Sequence, residues 1–336
     1  MKKRMVGIYA NYNASQQSFC AEFLAGYIAK CYRYAKWFVP DTPQVSSRFH
    51  GFSHQWDTEV VAWHNRNKET LKMVRECDTF FFFEPQEEIL DSLPKHAVTA
   101  YFADPGHPAA QLHAFAGRCS FVLLPGETFR DRIPFSVART NLLLCPFEPL
   151  LQAIPRRDLD FEKQPRLFFP AFGFSRQYRF FVSQVADIVK LCKSNVQTVV
   201  GFYDQRIAPQ PGLDSRTYDW RLLKYLRHAD WVIDLDPQPV LSLFPALAGG
   251  YGLQWIGLET PPNTEYHNAA FRHLIPTLAD NGTDDALETI AKNLVRILDR
   301  PFEGHLDRYA GLGAWEHRRT ECLRIINLIL GIKTRY

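Results

Sequence analysis

The sequence predicts an α/β protein made of two successive parallel-sheet units and a helical tail. Three observations predict it. Short apolar runs recur along the chain without polar alternation, as strands buried on both faces require. Most stop at a turn signal: Pro40 after Ala35–Val39, Glu84-Pro85 after Asp78–Phe83, and Asp104-Pro105-Gly106 after Val98–Phe102. Stretches of helical periodicity separate several of them, the rhythm of crossover connections between parallel strands.

In the first unit, Met5–Ala10 reads as a strand, followed by the polar turn 11–15 and a helix with Phe19, Phe23, Leu24, Tyr27, Ile28 and Cys31 on one face. Ala35–Val39 is the next strand. Val60 or Val61 opens an element of unresolved type, and strands follow at 78–83, 98–102, 121–124 and 141–145. Residues 146–165 hold four prolines and mixed charge and read as a linker. The second unit opens with a strand at 167–170, a loop, and a helix to Cys192 with Phe180, Phe181, Val185, Ile188, Val189 and Cys192 on one face. Strands at 196–200, 231–233 and 253–258, and helices at 219–228, 241–247, 284–298 and 314–330, complete the pattern.

The 336 residues suffice for two domains, and 46% hydrophobic with 22% charged residues excludes a disordered chain. The seven cysteines form no C-x-x-C pair, so they read as buried thiols in a reducing, cytoplasmic compartment. The apolar run 5–10 is too short for a signal sequence, and no stretch is long enough to span a membrane. A net charge of +3 permits a phosphate-bearing ligand without demanding one. No G-x-G-x-x-G follows the first strand and no Walker A sequence occurs, which disfavours dehydrogenases and P-loop enzymes.

Four segments of the second unit carry a resemblance: the strand–loop–helix 167–188 with Arg176 and Arg179, Val199-Val200-Gly201, Ala229-Asp230-Trp231-Val232-Ile233, and 243–250 followed by a strand. In this order they resemble the donor domain of GT-B fold glycosyltransferases, especially the family 4 and family 1 groups. Trp315-Glu316 before an apolar helix is similar to the last helix of that family. The resemblance implies two Rossmann-like domains facing a cleft. Residues 1–150 would form the acceptor domain, 151–165 the linker, 166–312 the donor domain, and 313–336 a helix returning to the first domain. The paired glutamates of family 4 align with Pro237 and Pro245 here, leaving Asp234, Asp236, Glu259 and Glu265 as the acids nearby.

The implied activity is transfer of a sugar, hexosyl or pentosyl, from a nucleotide sugar, most simply a UDP-sugar, to an acceptor hydroxyl. Ser175, Arg176 and Arg179, at a loop-to-helix junction, suit the diphosphate through helix N-terminal amides and guanidinium forks. Tyr203, Asp236, Gln238 and Val240 are expected near the base and ribose, and Glu259, Thr260 and Glu265 near sugar hydroxyls. Asn13, Ser15 and Gln16, after the first strand, are an acceptor or phosphate loop. A general base belongs at a strand end, where Glu84, Asp104 and His107 are the candidates. Glu84 follows four phenylalanines and precedes Pro85, which predicts partial burial. Asp234-Leu235-Asp236 is a D-x-D sequence, but no metal or other cofactor is expected at such a site in this fold. The acceptor is either a glycan or glycolipid or a hydroxymethylated base in DNA. The competing readings are a nucleotide-sugar epimerase and a non-catalytic nucleotide-sugar-binding scaffold. The sequence leaves oligomeric state open.

Overall fold

A computed structural model describes residues 5–10, helical positions 21, 24, 25, 27 and 28, and residues 34–40, 59–64, 66–103, 114–124, 130 and 141–145. It also describes 165–171, 176–201, 226, 228–235, 244, 248–249, 252–259, 272–276, 284–299 and 304–331. The chain divides into two compact units, one of Met1–Leu150 with Arg318–Tyr336, the other of Leu151–His317.

The first unit holds β1 (Met5–Tyr9), β2 (Ala35–Pro40), β3 (Glu59–Trp63), β4 (Cys77–Phe82), β5 (Val98–Phe102), β6 (Phe121–Leu124) and β7 (Leu142–Leu144). They form one sheet in the order β3-β2-β1-β4-β5-β6-β7, with every pairing parallel. Strand order reverses between β1 and β4. Helical residues after β1, Leu24 and Ile28, pack on the face holding Val6, Ile8, Phe81 and Phe83. Helices α1 (Lys68–Arg75) and α2 (Glu87–Ser92) supply Val74 and Ile89 to the opposite face, with Phe80, Phe82 and Tyr101. The crossovers therefore part to opposite sides of the sheet at β1 and β4.

The β4 phenylalanines explain how one strand fills two cores. Alternation sends Phe80 and Phe82 to one face and Phe81 and Phe83 to the other. Cys77 shares a face with Phe80 although they are three positions apart, an odd spacing that alternation would send to opposite faces. The register shows how: Met5 pairs with Cys77 and Val6 with Thr79, so Asp78 is an extra residue on β4. Gly7 lies opposite Phe80. A Cβ on Gly7 would meet the Phe80 ring at 2.3 Å and Cys77 Sγ at 3.1 Å, so the absent side chain is what lets the ring lie over β1.

The second unit holds β8 (Arg166–Pro170), α3 (Arg176–Cys192), β9 (Gln197–Gly201), β10 (Trp231–Asp234), β11 (Gln254–Leu258), β12 (Arg272–Ile275) and α4 (Asp284–Leu298). Its sheet runs β12-β11-β10-β8-β9, again with parallel pairings, and reverses between β8 and β10. One face, with Leu167, Phe169, Ile233 and Ile256, is covered by Val182, Val185 and Val189 of α3 and Ile290 and Leu294 of α4. Gly257 repeats the device of Gly7: a Cβ there would meet the Trp255 indole at 2.1 Å.

Helix α5 (Gly304–Leu330) begins in the second unit and ends in the first. Ile325, Ile326, Ile329 and Leu330 join the core around Val6 and Ile8. Tyr27 donates to Asn327 Oδ1 at 2.9 Å, and the Cys145 and Cys322 thiols lie 3.7 Å apart beneath the helix.

Several expectations need correction. Phe180 is 65% exposed and Cys192 is exposed, because the apolar stripe of α3 runs through Val182, Val185, Ala186 and Val189. The last helix starts at Gly304 rather than 314 and runs through Gly311 and Gly313 despite their low helix propensity. The element at Val60 is a strand. Helices α1 and α2 and strand β12 are additional.

Gly7→Ala is expected to destabilise the first unit by about 1–3 kcal/mol, read as a lower urea midpoint. Gln254 is 1% exposed, and its side-chain amide has no hydrogen-bond partner among the described residues. Replacing it with Met, similar in length but without the stranded polar atoms, is expected to leave stability unchanged or raise it in the same assay.

Candidate functional site

In a doubly wound sheet the carboxyl ends of the strands at the order reversal carry the ligand crevice, because the crossover helices diverge there. Each unit has one such point. In the second unit it lies at the ends of β8 and β10. Helix α3 starts six residues beyond the end of β8, so its N-terminal amides and positive dipole end belong to this edge. Arg176 is the first residue of the helix. Arg179, in its first turn, is half-buried, and its Nε is buried with no hydrogen-bond partner among the described residues. A buried N–H of this kind costs free energy unless an acceptor meets it.

Asp234 ends β10, is 3% exposed, and pairs in register with Gly257. Glu259 follows β11 and is exposed, its backbone N–H donating to the Ile275 carbonyl at 2.7 Å. The opposite edge has a different task. Asp230 Oδ2 accepts from the Arg166 N–H at 2.8 Å, the Asp230 N–H donates to the Arg166 carbonyl at 2.9 Å, and the Asp230 carbonyl accepts from Gln254 at 3.1 Å. This aspartate, part of the Ala-Asp-apolar segment, ties β8, β10 and β11 together away from the ligand edge.

In the first unit the reversal lies at the ends of β1 and β4. The Phe83 N–H donates to the Tyr9 carbonyl at 2.9 Å, placing the half-buried Glu84 just past the strand ends. Gln86, the N-cap residue of α2, makes no side-chain cap; its Nε2 donates to the Tyr9 hydroxyl at 3.4 Å. Burial, with the charges of Glu84 and Glu88, pushes the Tyr9 phenol up to about 12 despite the Gln86 hydrogen bond. Sequence reasoning passed over Tyr9 and Gln86. Their signals were position alone: the last residue of an apolar run, and the polar residue after Glu84-Pro85.

Of the sequence-predicted residues, the structure places Arg176, Arg179 and Glu259 at the carboxyl edge of the second sheet and Glu84 at that of the first. Asp104, His107, Ser175, Tyr203, Asp236, Gln238, Val240, Thr260, Glu265, Asn13, Ser15 and Gln16 lie outside the described residues. Among the described residues, no group of three or more His, Cys, Asp or Glu is placed to hold a metal ion. No described helix is long and apolar enough to cross a membrane. Cys77 and Cys119 are pushed up to about 12 by burial, so they are inert as nucleophiles near neutrality.

These shifts set an alkaline limit. The folded first unit favours the neutral phenol and thiols, so their contribution is fully present below the ordinary values of 9.0 for cysteine and 10.0 for tyrosine. It is lost as pH rises toward about 12. Stability in urea titrations is expected to fall across this window, and Tyr9→Phe is expected to flatten the part above pH ~10.

No protein-family model and no curated protein matches the chain. Solved structures do. HepE from Anabaena, crystallised with UDP and glucose, is 9% identical, the match covering 98% of this chain and 100% of that one at a TM-score of 0.69. A protein designated a UDP-N-acetylglucosamine 2-epimerase from Listeria monocytogenes is 10% identical over 92% and 90%, with a TM-score of 0.56. An alpha-glucosyltransferase crystallised with UDP and a 13-mer DNA containing an HMU base is 9% identical over 97% and 99%, also at 0.56. The chain has the fold of the GT-B glycosyltransferases, two Rossmann-like parallel sheets with helices.

Proposed function

We propose that the protein is a glycosyltransferase that uses a nucleotide sugar, most simply a UDP-sugar, and transfers the sugar to an acceptor hydroxyl. The observation that carries this reading is Arg179: a buried guanidinium N–H with no partner among the described residues, in the first turn of the helix that follows the first strand of the second unit. A diphosphate is the ligand that this edge suits, because it accepts from helix amides and from arginine forks together. The fold shared with structures holding UDP supports the nucleotide.

In this reading Ser175, Arg176 and Arg179 stabilise the charge that develops on the leaving diphosphate. Tyr203, Asp236, Gln238 and Val240 contact the nucleoside, and Glu259, Thr260 and Glu265 the donor's hydroxyls. Glu84 takes the proton from the acceptor hydroxyl, with Asp104 and His107 as the other candidates for that step. Asn13, Ser15 and Gln16 line the acceptor side. No step in this scheme is assigned to a metal ion. The acceptor is a glycan or glycolipid hydroxyl; a hydroxymethylated DNA base is the second candidate, on the precedent of the DNA-bound neighbour.

The test is Arg179→Met, which keeps the aliphatic stem and removes the donors. UDP-glucose binding, measured by calorimetry, is expected to weaken about 10- to 100-fold, the value of one or two charge-assisted hydrogen bonds. Unchanged affinity would overturn the assignment. Incubation of the unaltered protein with UDP-sugar and acceptor separates the competing readings. A transferase releases UDP, an epimerase alters the sugar without releasing it, and a scaffold does neither.

A further inference from the structure

The chain passes between its two units twice, after Leu150 and after His317. A cysteine stands close to each passage on the side of the first unit. Cys145 lies five residues before Leu150, and Cys322 four residues after Arg318. The fold brings these two thiols to 3.7 Å although 177 positions separate them in sequence.

Both cysteines are fixed by the elements that carry them. Cys145 follows β7, and its N–H donates to the Leu124 carbonyl at 2.7 Å, which holds it beside β6. Cys322 lies on the face of α5 that carries Ile325, Ile326 and Ile329 into the core of the first unit. Both are buried, and neither is in a disulfide. Cys322 is close to the outer surface of the helix: Glu321 and Leu323 beside it are half-buried, and Arg324 is exposed. A disulfide needs its sulfurs about 2.05 Å apart, so about 1.7 Å of approach, shared between two side chains, closes the bond.

We propose that Cys145 and Cys322 form a reversible disulfide, a redox modification site that ties the C-terminal half of α5 to the last strand of the first sheet. The oxidant is hydrogen peroxide, which reaches the pair when that half of the helix lifts locally from the core. One thiol sulfur attacks a peroxide oxygen, the O–O bond breaks, and a sulfenic acid and one water result. The second sulfur attacks the sulfenic sulfur, the S–O bond breaks, a second water leaves and the S–S bond forms. The two thiols lose two electrons and two protons, and one peroxide becomes two waters. In a reducing compartment the pair rests as thiols and closes only on exposure to oxidant, and a dithiol reopens it. Because residues 151–317 all lie between the two cysteines, the closed bond encloses the second unit in one covalent loop. The site is independent of the proposed transferase function.

The experiment treats the full chain with hydrogen peroxide or with dithiothreitol. The remaining thiols are then alkylated in denaturant, and the protein is digested without reductant for mass spectrometry. Oxidation is expected to give a cross-linked peptide pair holding Cys145 and Cys322, lighter by two hydrogen atoms than its parts and lost on treatment with dithiothreitol. Cys192, which is exposed, reports that the oxidant has acted. Hydrogen exchange of amides 322–330 is expected to slow about tenfold or more in the oxidised protein. Cys145→Ser and Cys322→Ser, each compared oxidised against reduced, are expected to show neither change. The comparison within the unaltered protein stands even where a variant fails to fold. Complete alkylation of both cysteines after Cys192 has been oxidised would overturn the inference. So would a cross-link that forms only in urea, pairing of either cysteine with the others as often, or a cross-link that leaves exchange at 322–330 unchanged.

Discussion

A parallel sheet connected by crossovers has helices on both faces, and both sheets here obey that constraint down to single residues. Phe80–Phe83 are all buried, alternating between two cores, and the extra residue at Asp78 lets Cys77 and Phe80 share a face. Gly7 and Gly257 supply the space for the Phe80 ring and the Trp255 indole. With both faces committed to packing, polar side chains with chemical work to do are confined to the strand ends. The amino-end polar groups are used structurally, as Asp230 shows by joining three strands. The carboxyl ends are left for ligands.

The two carboxyl edges differ in charge, and the difference carries the functional argument. The second unit presents a helix N-terminus with Arg176 and Arg179, a place of positive potential. The first presents Glu84 and the acidic start of α2 around a neutral phenol. The helix N-terminus and arginines of the second edge are what the proposed diphosphate site rests on.

Much of this was legible in the sequence because buried parallel strands are written as uninterrupted apolar runs. Asp78–Phe83, Val98–Phe102 and Trp231–Ile233 needed no context. What escaped had mixed local signals. β12, Arg272–Ile275, has two polar residues in four and is a strand because β11 pairs with it. Helix α1 is short, with Leu71, Met73 and Val74 as its apolar face and a cap in which Asn67 Oδ1 accepts from Glu69 and Thr70. Phe180 misled the phase of α3, because an aromatic residue in a helical window was counted as core while the stripe ran two residues later. That Arg179 and Glu84 stand beyond the carboxyl ends of strands was readable from their place after an apolar run. The hydrogen bond between Gln86 and the Tyr9 hydroxyl was not, because seventy-seven positions separate the two in sequence.

The central claim is that a nucleotide sugar binds at the carboxyl edge of β8 and β10. Hydrogen–deuterium exchange with and without UDP-glucose tests it most directly. The account predicts slowed exchange concentrated in the segment from Pro170 through the first turn of α3 and in the segment following Asp234, with the amino-end contacts around Asp230 unchanged. Protection confined to the first unit, or none at saturating UDP-glucose and the other common nucleotide sugars, would contradict it.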